Sequence, residues 1–325
     1  MSVYTTVSSE ELSSFLLAYN VGELVDFLGI SAGMENTNYF VETSKGSFVL
    51  TLYEHHSAEE LPFFLELMHH LSMHNVETIT PVADKQGGLF GQLCGKPAAL
   101  IERLSGASLK PSEATPEHCR LIGNALARFH LAGMSYDNQR ENQRSKDLSP
   151  EFISTFLSKL NEEDKQLLEQ ELAFQKSINW SDLATGITHS DLFCDNSMFD
   201  DVSGKLVLTG IIDLYFACND AFIFDLATVA MDWCSSSDGS FDEERLMALL
   251  LAYNDVRKLE TLERQAWHAM LRTSILRFWA FRLDMALNPR GGDLVLRKDP
   301  DELKIKLQGC LREKDSIMNL MDKIN

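Results

Sequence analysis

The sequence predicts a two-lobed α+β fold, in which a β-rich N-terminal part is followed by a mainly helical C-terminal part. Three observations support this prediction: alternating apolar runs around a tight turn within the first hundred residues, helical periodicity after residue 110, and a strand-turn-strand insert among the helices. The chain has 325 residues, 45% of them hydrophobic and 24% charged, which is typical of a folded globular protein. We therefore expect two lobes, at residues 1–104 and 105–325.

The first hundred residues are predicted to form strands and one helix. The segment NYFVETSKGSFVLTLYE (38–54) holds two alternating runs on either side of a Ser-Lys-Gly-Ser turn, which is the pattern of a β-hairpin. Ser57 and Glu60 have the spacing of a capping box, so a helix is expected to begin there, with Pro62 in its first turn. Strand character returns afterwards, and a strand at 98–104 is expected to join the lobes.

The rest of the chain is predicted to be helical around one short insert. Thr115 and Pro116 have the pattern of a helix start, and Gly133 that of a helix end. The polar stretch 137–149 is expected to be a surface loop. Further helices are expected over 150–172, 242–259 and 262–287, with loop, strand, turn and strand over 186–216.

Charge and cysteine content restrict the partners and the setting. The net charge of −19 argues against nucleic acid or an anionic membrane as a main partner. No apolar run approaches the roughly 20 residues that span a bilayer, and the N-terminus lacks the pattern of a secretory signal. The six cysteines form no CxxC pair, so we expect reduced thiols rather than a zinc site or disulfides. We expect a cytoplasmic protein, and a homodimer is compatible with the sequence.

The segment HSDLFCDNSMF (189–199) carries the residues most suggestive of chemistry. Phosphoryl transfer needs a carboxylate near the nucleophilic hydroxyl and oxygen ligands for Mg²⁺, and His189, Asp191 and Asn196 have the spacing of a kinase catalytic loop. Asp213 follows a short apolar strand seventeen residues after Asn196, where a hairpin would bring a second carboxylate to the metal. The plain alternative is a loop without catalytic function, in which the histidine is hydrogen-bonded and an Asx turn shapes the backbone.

These motifs, with GMENTNYFVETSKGSFVLTLYE, CGKPAALIERLSG, FDLATVAMDWCS and RKDPDEL, resemble the phosphotransferases with an aminoglycoside-kinase-like fold, which are relatives of the protein kinases that act on small molecules. Within them, the chain is similar to the bacterial homoserine kinases of this fold over nearly its whole length. The resemblance implies a two-lobed protein-kinase-like (aminoglycoside phosphotransferase-like) fold. It also implies ATP- and Mg²⁺-dependent phosphorylation of L-homoserine to O-phospho-L-homoserine, on the route to threonine.

The resemblance implies a role for each residue of the catalytic region. Asp191 would be the base or would orient the hydroxyl, and His189 would brace the loop. Asn196 and Asp213 would hold Mg²⁺. Asp225 would support the loop from a helix start.

The N-terminal lobe would bind ATP, and the residues that the resemblance implies are Gly33, Asn36, Asn38, Thr51, Glu102 and Leu104. Thr51 stands where kinases have a phosphate-binding lysine, and Lys45 in the hairpin turn is the only lysine or arginine among residues 1–84. We therefore expect backbone N–H groups, asparagine side chains and metal to hold the phosphates.

A zwitterionic acceptor needs an acid for its ammonium and a guanidinium for its carboxylate. The candidates are Tyr215, Asp232, Arg277 and Arg282. Other acceptors stay open, namely choline, an aminoglycoside, a methylthio-sugar or another amino alcohol; an arginine pointing into the site would favour an amino acid. Two further classes stay open: a weakly active nucleotide-binding regulatory module, because the lysine is missing, and a metal-dependent hydrolase.

Overall fold

The computed structural model describes residues 4–30, 36–288 and 298–324. By their internal contacts the residues form two compact units: unit 1 is Met1–Gly106 with Thr209–Tyr215, and unit 2 is Ala107–Leu208 with Phe216–Asn325. The chain therefore leaves unit 1 after Gly106 and returns to it for one short segment. The division predicted after residue 104 did not include this return.

Unit 1 is built on a five-stranded antiparallel sheet with the strand order β1-β2-β3-β5-β4. The predicted hairpin is confirmed, because β2 and β3 pair on either side of the turn. The elements of the unit are α1 (Ser9–Leu16), β1 (Leu24–Ile30), β2 (Thr37–Thr43), β3 (Gly46–Leu52), α2 (Leu61–Met73), β4 (Gly91–Leu93) and β5 (Lys96–Glu102).

The two helices of unit 1 differ from the prediction. Helix α1 was not predicted; a reciprocal capping box between Ser8 and Glu11 starts it, and Leu12 and Leu16 pack against the sheet. Helix α2 begins at Leu61 and not at Ser57, because residues 57–60 form a turn in which the Ser57 N–H donates to the Glu60 carboxylate.

Successive residues of a strand point to opposite faces, and this separates the sheet into two surfaces. One face packs against α1 and carries Tyr39, Leu50 and Leu100 in its core. By alternation, Asn38 and Thr51 lie on the other face. Both predicted phosphate-site residues therefore share the surface that α1 does not cover.

Unit 2 is mainly helical, with two small sheets: β7 pairs with β10, and β8 lies between β6 and β9. The last residues of β9 belong to unit 1. The elements are β6 (Ala107–Ser108), α3 (Pro116–Gly133), α4 (Pro150–Ser154), α5 (Glu162–Lys176), β7 (Thr185–Thr188), β8 (Ser197–Val202), β9 (Lys205–Ile211), β10 (Cys218–Ala221), α6 (Phe222–Trp233), α7 (Glu243–Val256), α8 (Thr261–Leu287), α9 (Pro300–Arg312) and α10 (Lys314–Asp322).

Two predicted elements of unit 2 were wrong. The helix expected over 150–172 is divided into α4 and α5, because the Asn161 side chain accepts the Asp164 N–H and starts a new helix. The loop expected over 137–149 contains a 3₁₀ helix, Gln143–Leu148. Within the described ranges, no helix combines the length and apolar character needed to cross a membrane.

Candidate active site

Helix α6 lies beneath the predicted catalytic loop and holds its backbone at two points. Every residue of α6 is buried. Asp225, in its first turn, accepts hydrogen bonds from the N–H groups of His189 (2.6 Å) and Ser190 (2.8 Å). Seven residues later, on the same side of the helix, the Asp232 carboxylate accepts the Cys194 N–H at 2.9 Å. Two buried carboxylates of one helix thus fix both ends of the loop.

The loop brings Asp191 and Asn196 together. The Asn196 Nδ2 group donates to the backbone oxygen of Asp191 at 2.8 Å and to its Oδ2 at 3.3 Å. The Asp191 N–H donates to Nδ1 of His189, whose ring is fully buried. Ser190, between them, has a φ of +67°, a left-handed conformation that is costly for a residue other than glycine. The hydrogen bonds to Asp225 hold the backbone in this conformation.

A buried network continues below the loop. His130 of α3 hydrogen-bonds Asp225 through Nε2 (3.1 Å) and the Tyr253 hydroxyl through Nδ1 (2.7 Å). Burial by itself would raise the pKa of Asp225, but hydrogen bonds and charges from His130 and His189 outweigh it and hold that pKa below its usual range. Burial lowers the pKa of His130, which Asp225 only partly opposes. An ionised Asp225 and a neutral His130 therefore support the loop at neutral pH.

The sequence did not predict a role for Arg144, which comes from the stretch expected to be a surface loop. Its Nη1 lies 3.3 Å from Oδ1 of Asp191. The predicted Arg277 lies close behind it: Asn142 Oδ1 accepts both the Arg144 N–H (2.9 Å) and Nη2 of Arg277 (3.1 Å). The polar start of the 3₁₀ helix, with Asn as its cap, was the only sequence signal for this arrangement.

The other predicted acceptor residues have different neighbours. Arg277 and Arg282 lie five residues apart on α8, about 140° around the helix, and Arg282 pairs with Glu302 at 2.9 Å. Asp232 is only 5% exposed, and its carboxylate is used by the Cys194 N–H and by Lys306, whose Nζ is 3.5 Å away. The side chains of Arg282 and Asp232 are therefore committed to structural contacts.

Tyr215 belongs to unit 1, where it joins a buried aromatic cluster. Its hydroxyl is 2.9 Å from the hydroxyl of Tyr53, and its ring packs against His56 and Phe64. Burial raises the pKa of the Tyr215 phenol well above its usual value. The hydroxyl therefore stays protonated and contributes to the cluster as a hydrogen-bonding group.

Two of the predicted nucleotide residues are hydrogen-bonded to each other. Asn38 on β2 faces Thr51 on β3, and the Thr51 hydroxyl donates to the Asn38 side-chain oxygen at 2.8 Å. At the start of β2, the buried Oδ1 of Asn36 has no hydrogen-bond partner among the described residues. A buried polar atom without a partner calls for an explanation, and a bound ligand is one of those that apply to such atoms. Gly33 lies outside the described residues.

The remaining residues predicted for unit 1 lie near the ends of strands. Glu102 ends β5 with an exposed side chain, and Leu104 packs against Gly210, where a Cβ would meet the Leu104 side chain. Asp213 follows β9 and has a φ of +61°. Ile211, just before it, is held by backbone hydrogen bonds with Glu77 and Ile79. Asp213 thus has a strained left-handed backbone itself, whereas Asp191 directly follows such a residue, Ser190.

The donor atoms fit a hard cation. The Asn196 NH₂ group is used by Asp191, so its carbonyl oxygen is the atom that remains for a metal. In the parts of the chain that the structure describes, no three or more His, Cys, Asp or Glu side chains cluster as a metal site. A side-chain amide oxygen is a suitable ligand for a hard divalent cation.

Comparison with known proteins identifies relatives over nearly the whole chain. Residues 26–262 match the model of the phosphotransferase enzyme family (APH). The chain is 41% identical over 319 residues to a homoserine kinase of Methylobacillus flagellatus, covering 98% of each chain. It is also 41% identical over 310 residues to a homoserine kinase of Paraburkholderia phytofirmans, covering 92% of this chain and 93% of that one.

A solved amicoumacin kinase, in complex with AMP-PNP and Ca²⁺, has a similar fold. Its TM-score is 0.66 at 16% identity, with coverage of 97% of this chain and 93% of that chain. The predicted two-lobed kinase-like fold is therefore confirmed. The family match and the nearly full-length identity lead to one conclusion: the chain belongs to the phosphotransferase enzyme family.

Proposed function

We propose that this protein is a homoserine kinase, which transfers the γ-phosphoryl group of ATP to the hydroxyl of L-homoserine and forms O-phospho-L-homoserine for threonine synthesis. The observation that carries the proposal is the 41% identity to a homoserine kinase over 98% of both chains. The loop that holds Asp191 beside Asn196 supports the chemistry.

The chain's own residues would act as follows. Asp191 would accept a hydrogen bond from the acceptor hydroxyl, orient its oxygen toward the phosphorus and take its proton as the new bond forms. The N–H bonds to Asp225 and Asp232 keep the loop in place during transfer.

ATP and Mg²⁺ would be held by a small set of residues. Asn196 and Asp213 are the proposed Mg²⁺ ligands, and the bound ion would neutralise charge on the phosphates. Asn36, Asn38 and Thr51 are proposed for the phosphates, and the backbone from Glu102 to Leu104 for adenine. Lys96 does not replace the missing lysine. By alternation along β5 it lies on the face of the sheet that packs against α1, and it pairs with Glu54 at 2.6 Å.

The finer expectations about setting belong to the same proposal: a cytoplasmic enzyme with no nucleic-acid or membrane partner, in which a homodimer is compatible with the sequence. The net charge of −19 supports the absence of a nucleic-acid partner.

The proposal is tested by measuring ADP release from Mg-ATP with homoserine, serine, threonine, choline, an aminoglycoside and methylthioribose. Homoserine should give the highest kcat/KM. Asp191→Asn should reduce the rate by at least about a hundredfold, as expected for loss of a general base. The matched control is Asp195→Asn, in the same loop, whose exposed carboxylate pairs with Lys298 at 3.0 Å and which should keep its activity. A faster rate with any other acceptor, or an active Asp191→Asn variant, would refute the proposal.

A further inference from the structure

Arg144 lies against the carboxylate that is proposed to be the catalytic base. Its Nη1 is 3.3 Å from Oδ1 of Asp191, and the two side chains are 15% and 18% exposed. Asn196 is bound to the other oxygen, Oδ2. The guanidinium therefore occupies the oxygen of Asp191 that is not already taken by Asn196.

Aromatic rings fix the position of this guanidinium. The carbon at its centre lies 3.6 Å from the ring centre of Phe216 and 4.9 Å from that of Phe281, with Phe278 at 5.8 Å. Stacking on an aromatic face is a favourable geometry for arginine, and it limits the freedom that is lost when a ligand binds. Of the side-chain nitrogens, only Nη1 has a hydrogen-bond acceptor among the described residues, so donors remain for a second anion.

A second, more deeply buried arginine supports the first. Arg277 is 5% exposed, and its Nε is buried without a hydrogen-bond partner in the described part of the chain. Its other nitrogens contact Asn142 at 3.1 Å and Asp220 at 3.9 Å. Since Asn142 also caps the turn that carries Arg144, the two arginines are linked through one asparagine. Arg277 is thus a positioning residue, and Arg144 presents the charge.

We propose that Arg144 binds the carboxylate of the amino-acid acceptor, and that without an acceptor it covers Asp191. This inference rests on the proposed function and names the residue that selects an amino acid. In homoserine, four bonds of about 1.5 Å separate the hydroxyl oxygen from the carboxylate carbon, a span of about 5 Å. A hydroxyl on Asp191 therefore puts the carboxylate within reach of a guanidinium that already touches Asp191.

In this proposal the acceptor itself removes Arg144 from Asp191 when it binds. The acceptor carboxylate takes Arg144 in a two-point contact, as guanidinium and carboxylate prefer, and Arg144 then no longer competes with the hydroxyl for Oδ1 of Asp191. An amino alcohol without a carboxylate cannot pair with the Arg144 guanidinium, so Arg144 stays on Asp191. Selection thus acts on the base as well as on binding.

The test compares L-homoserine with 3-aminopropan-1-ol, which has the same hydroxyl and amine but no carboxylate. In Arg144→Gln, KM for homoserine should rise by about tenfold to a hundredfold, the range for loss of a charged hydrogen bond. The kcat/KM for 3-aminopropan-1-ol should stay the same or increase, and KM for ATP should not change. Arg144→Lys, which keeps the charge but not the planar fork, should give an intermediate KM.

The matched control is Arg272→Gln. Arg272 is also a stacked arginine, 3.2 Å from the centre of the Phe174 ring and 2.8 Å from Glu171, with 13% exposure. Its substitution should not change the preference between the two acceptors. A measurement on the unaltered protein removes any dependence on folding of the variants: L-2-aminobutyrate, which keeps the carboxylate and lacks the hydroxyl, should compete with homoserine, whereas propylamine should not.

Three outcomes would overturn the inference. In Arg144→Gln, an equal loss on both acceptors would mean that Arg144 only supports the loop, and an unchanged KM for homoserine would mean that it does not touch the carboxylate. Equal inhibition by L-2-aminobutyrate and propylamine would likewise mean that the carboxylate is not recognised. No homoserine turnover by the unaltered protein would refute the proposed function itself, and the assignment of Arg144 with it.

Discussion

Replacing Asp225 by asparagine should destabilise the protein and disable the catalytic loop together. The Asp225 carboxylate is fully buried and accepts three hydrogen bonds: two from the N–H groups of His189 and Ser190, and one from Nε2 of His130. An asparagine of the same shape presents an NH₂ group in place of one oxygen, so at least one of these donors would face another donor. The remaining bonds would change from charge-assisted to neutral.

The magnitude follows from these contacts. A hydrogen bond to a charged group contributes about 1.5–3 kcal/mol, and two neutralised bonds lose roughly half of that each. The free energy of unfolding of Asp225→Asn should therefore fall by about 3–5 kcal/mol, a large part of the about 5–15 kcal/mol of a typical domain. Because Ser190 depends on Asp225 to keep its left-handed conformation, kcat should also fall in the fraction that remains folded.

Urea unfolding, followed by circular dichroism, measures the stability change, and kcat is measured below the onset of unfolding. The control is Asp255→Asn, an exposed carboxylate on α7, which should change stability by less than about 0.5 kcal/mol. A loss of less than about 1 kcal/mol in Asp225→Asn, with normal kcat, would refute the view that this carboxylate holds the loop.

Three further predictions concern pH, packing and thiols. Burial lowers the pKa of His130, so below pH 6.5 the unfolded chain binds a proton that the folded protein does not bind. The free energy of unfolding should therefore fall as the pH drops below 6.5, and more steeply in the unaltered protein than in His130→Gln. Urea midpoints between pH 7.5 and 5.5 measure this difference. Gly309→Ala should cost about 1–3 kcal/mol or more, because a Cβ there would overlap the backbone of Gly239; a thermal midpoint equal to that of the unaltered protein would contradict this contact. Of the six free cysteines only Cys94 is exposed, so a thiol reagent should titrate one group in the folded protein and six in urea; more than one rapid group before unfolding would contradict the burial.

The contact between Asp191 and Asn196 could be predicted because the two residues are close in the chain. His189, Asp191 and Asn196 lie within eight residues, and their spacing alone indicates which side chains can meet. The predicted hairpin of β2 and β3 is also local, since alternation and a tight turn determine the pairing of Asn38 with Thr51.

Tertiary contacts explain what the sequence did not show. Arg144 comes from a polar stretch, and nothing local indicates that three phenylalanines would enclose its guanidinium. Arg282 lies on the same helix as Arg277, but helical geometry turns it toward Glu302. The contact of the Asp232 carboxylate with the Cys194 N–H was not predicted either, because it joins residues 38 positions apart. These assignments needed the direction of a side chain, which spacing along the chain does not supply.

The short return of the chain to unit 1 has a consequence for biosynthesis. Residues 209–215 complete unit 1, and Ile211 pairs there with Glu77, Thr78 and Ile79. During translation the first hundred residues leave the ribosome long before this segment exists, so the N-terminal unit has to wait until about two thirds of the chain has been made. A fragment ending at residue 106 would lack both these backbone pairs and Asp213. The nascent chain therefore cannot finish its first unit before about half of the second has been synthesised, and the proposed metal ligand arrives with the residues that complete it.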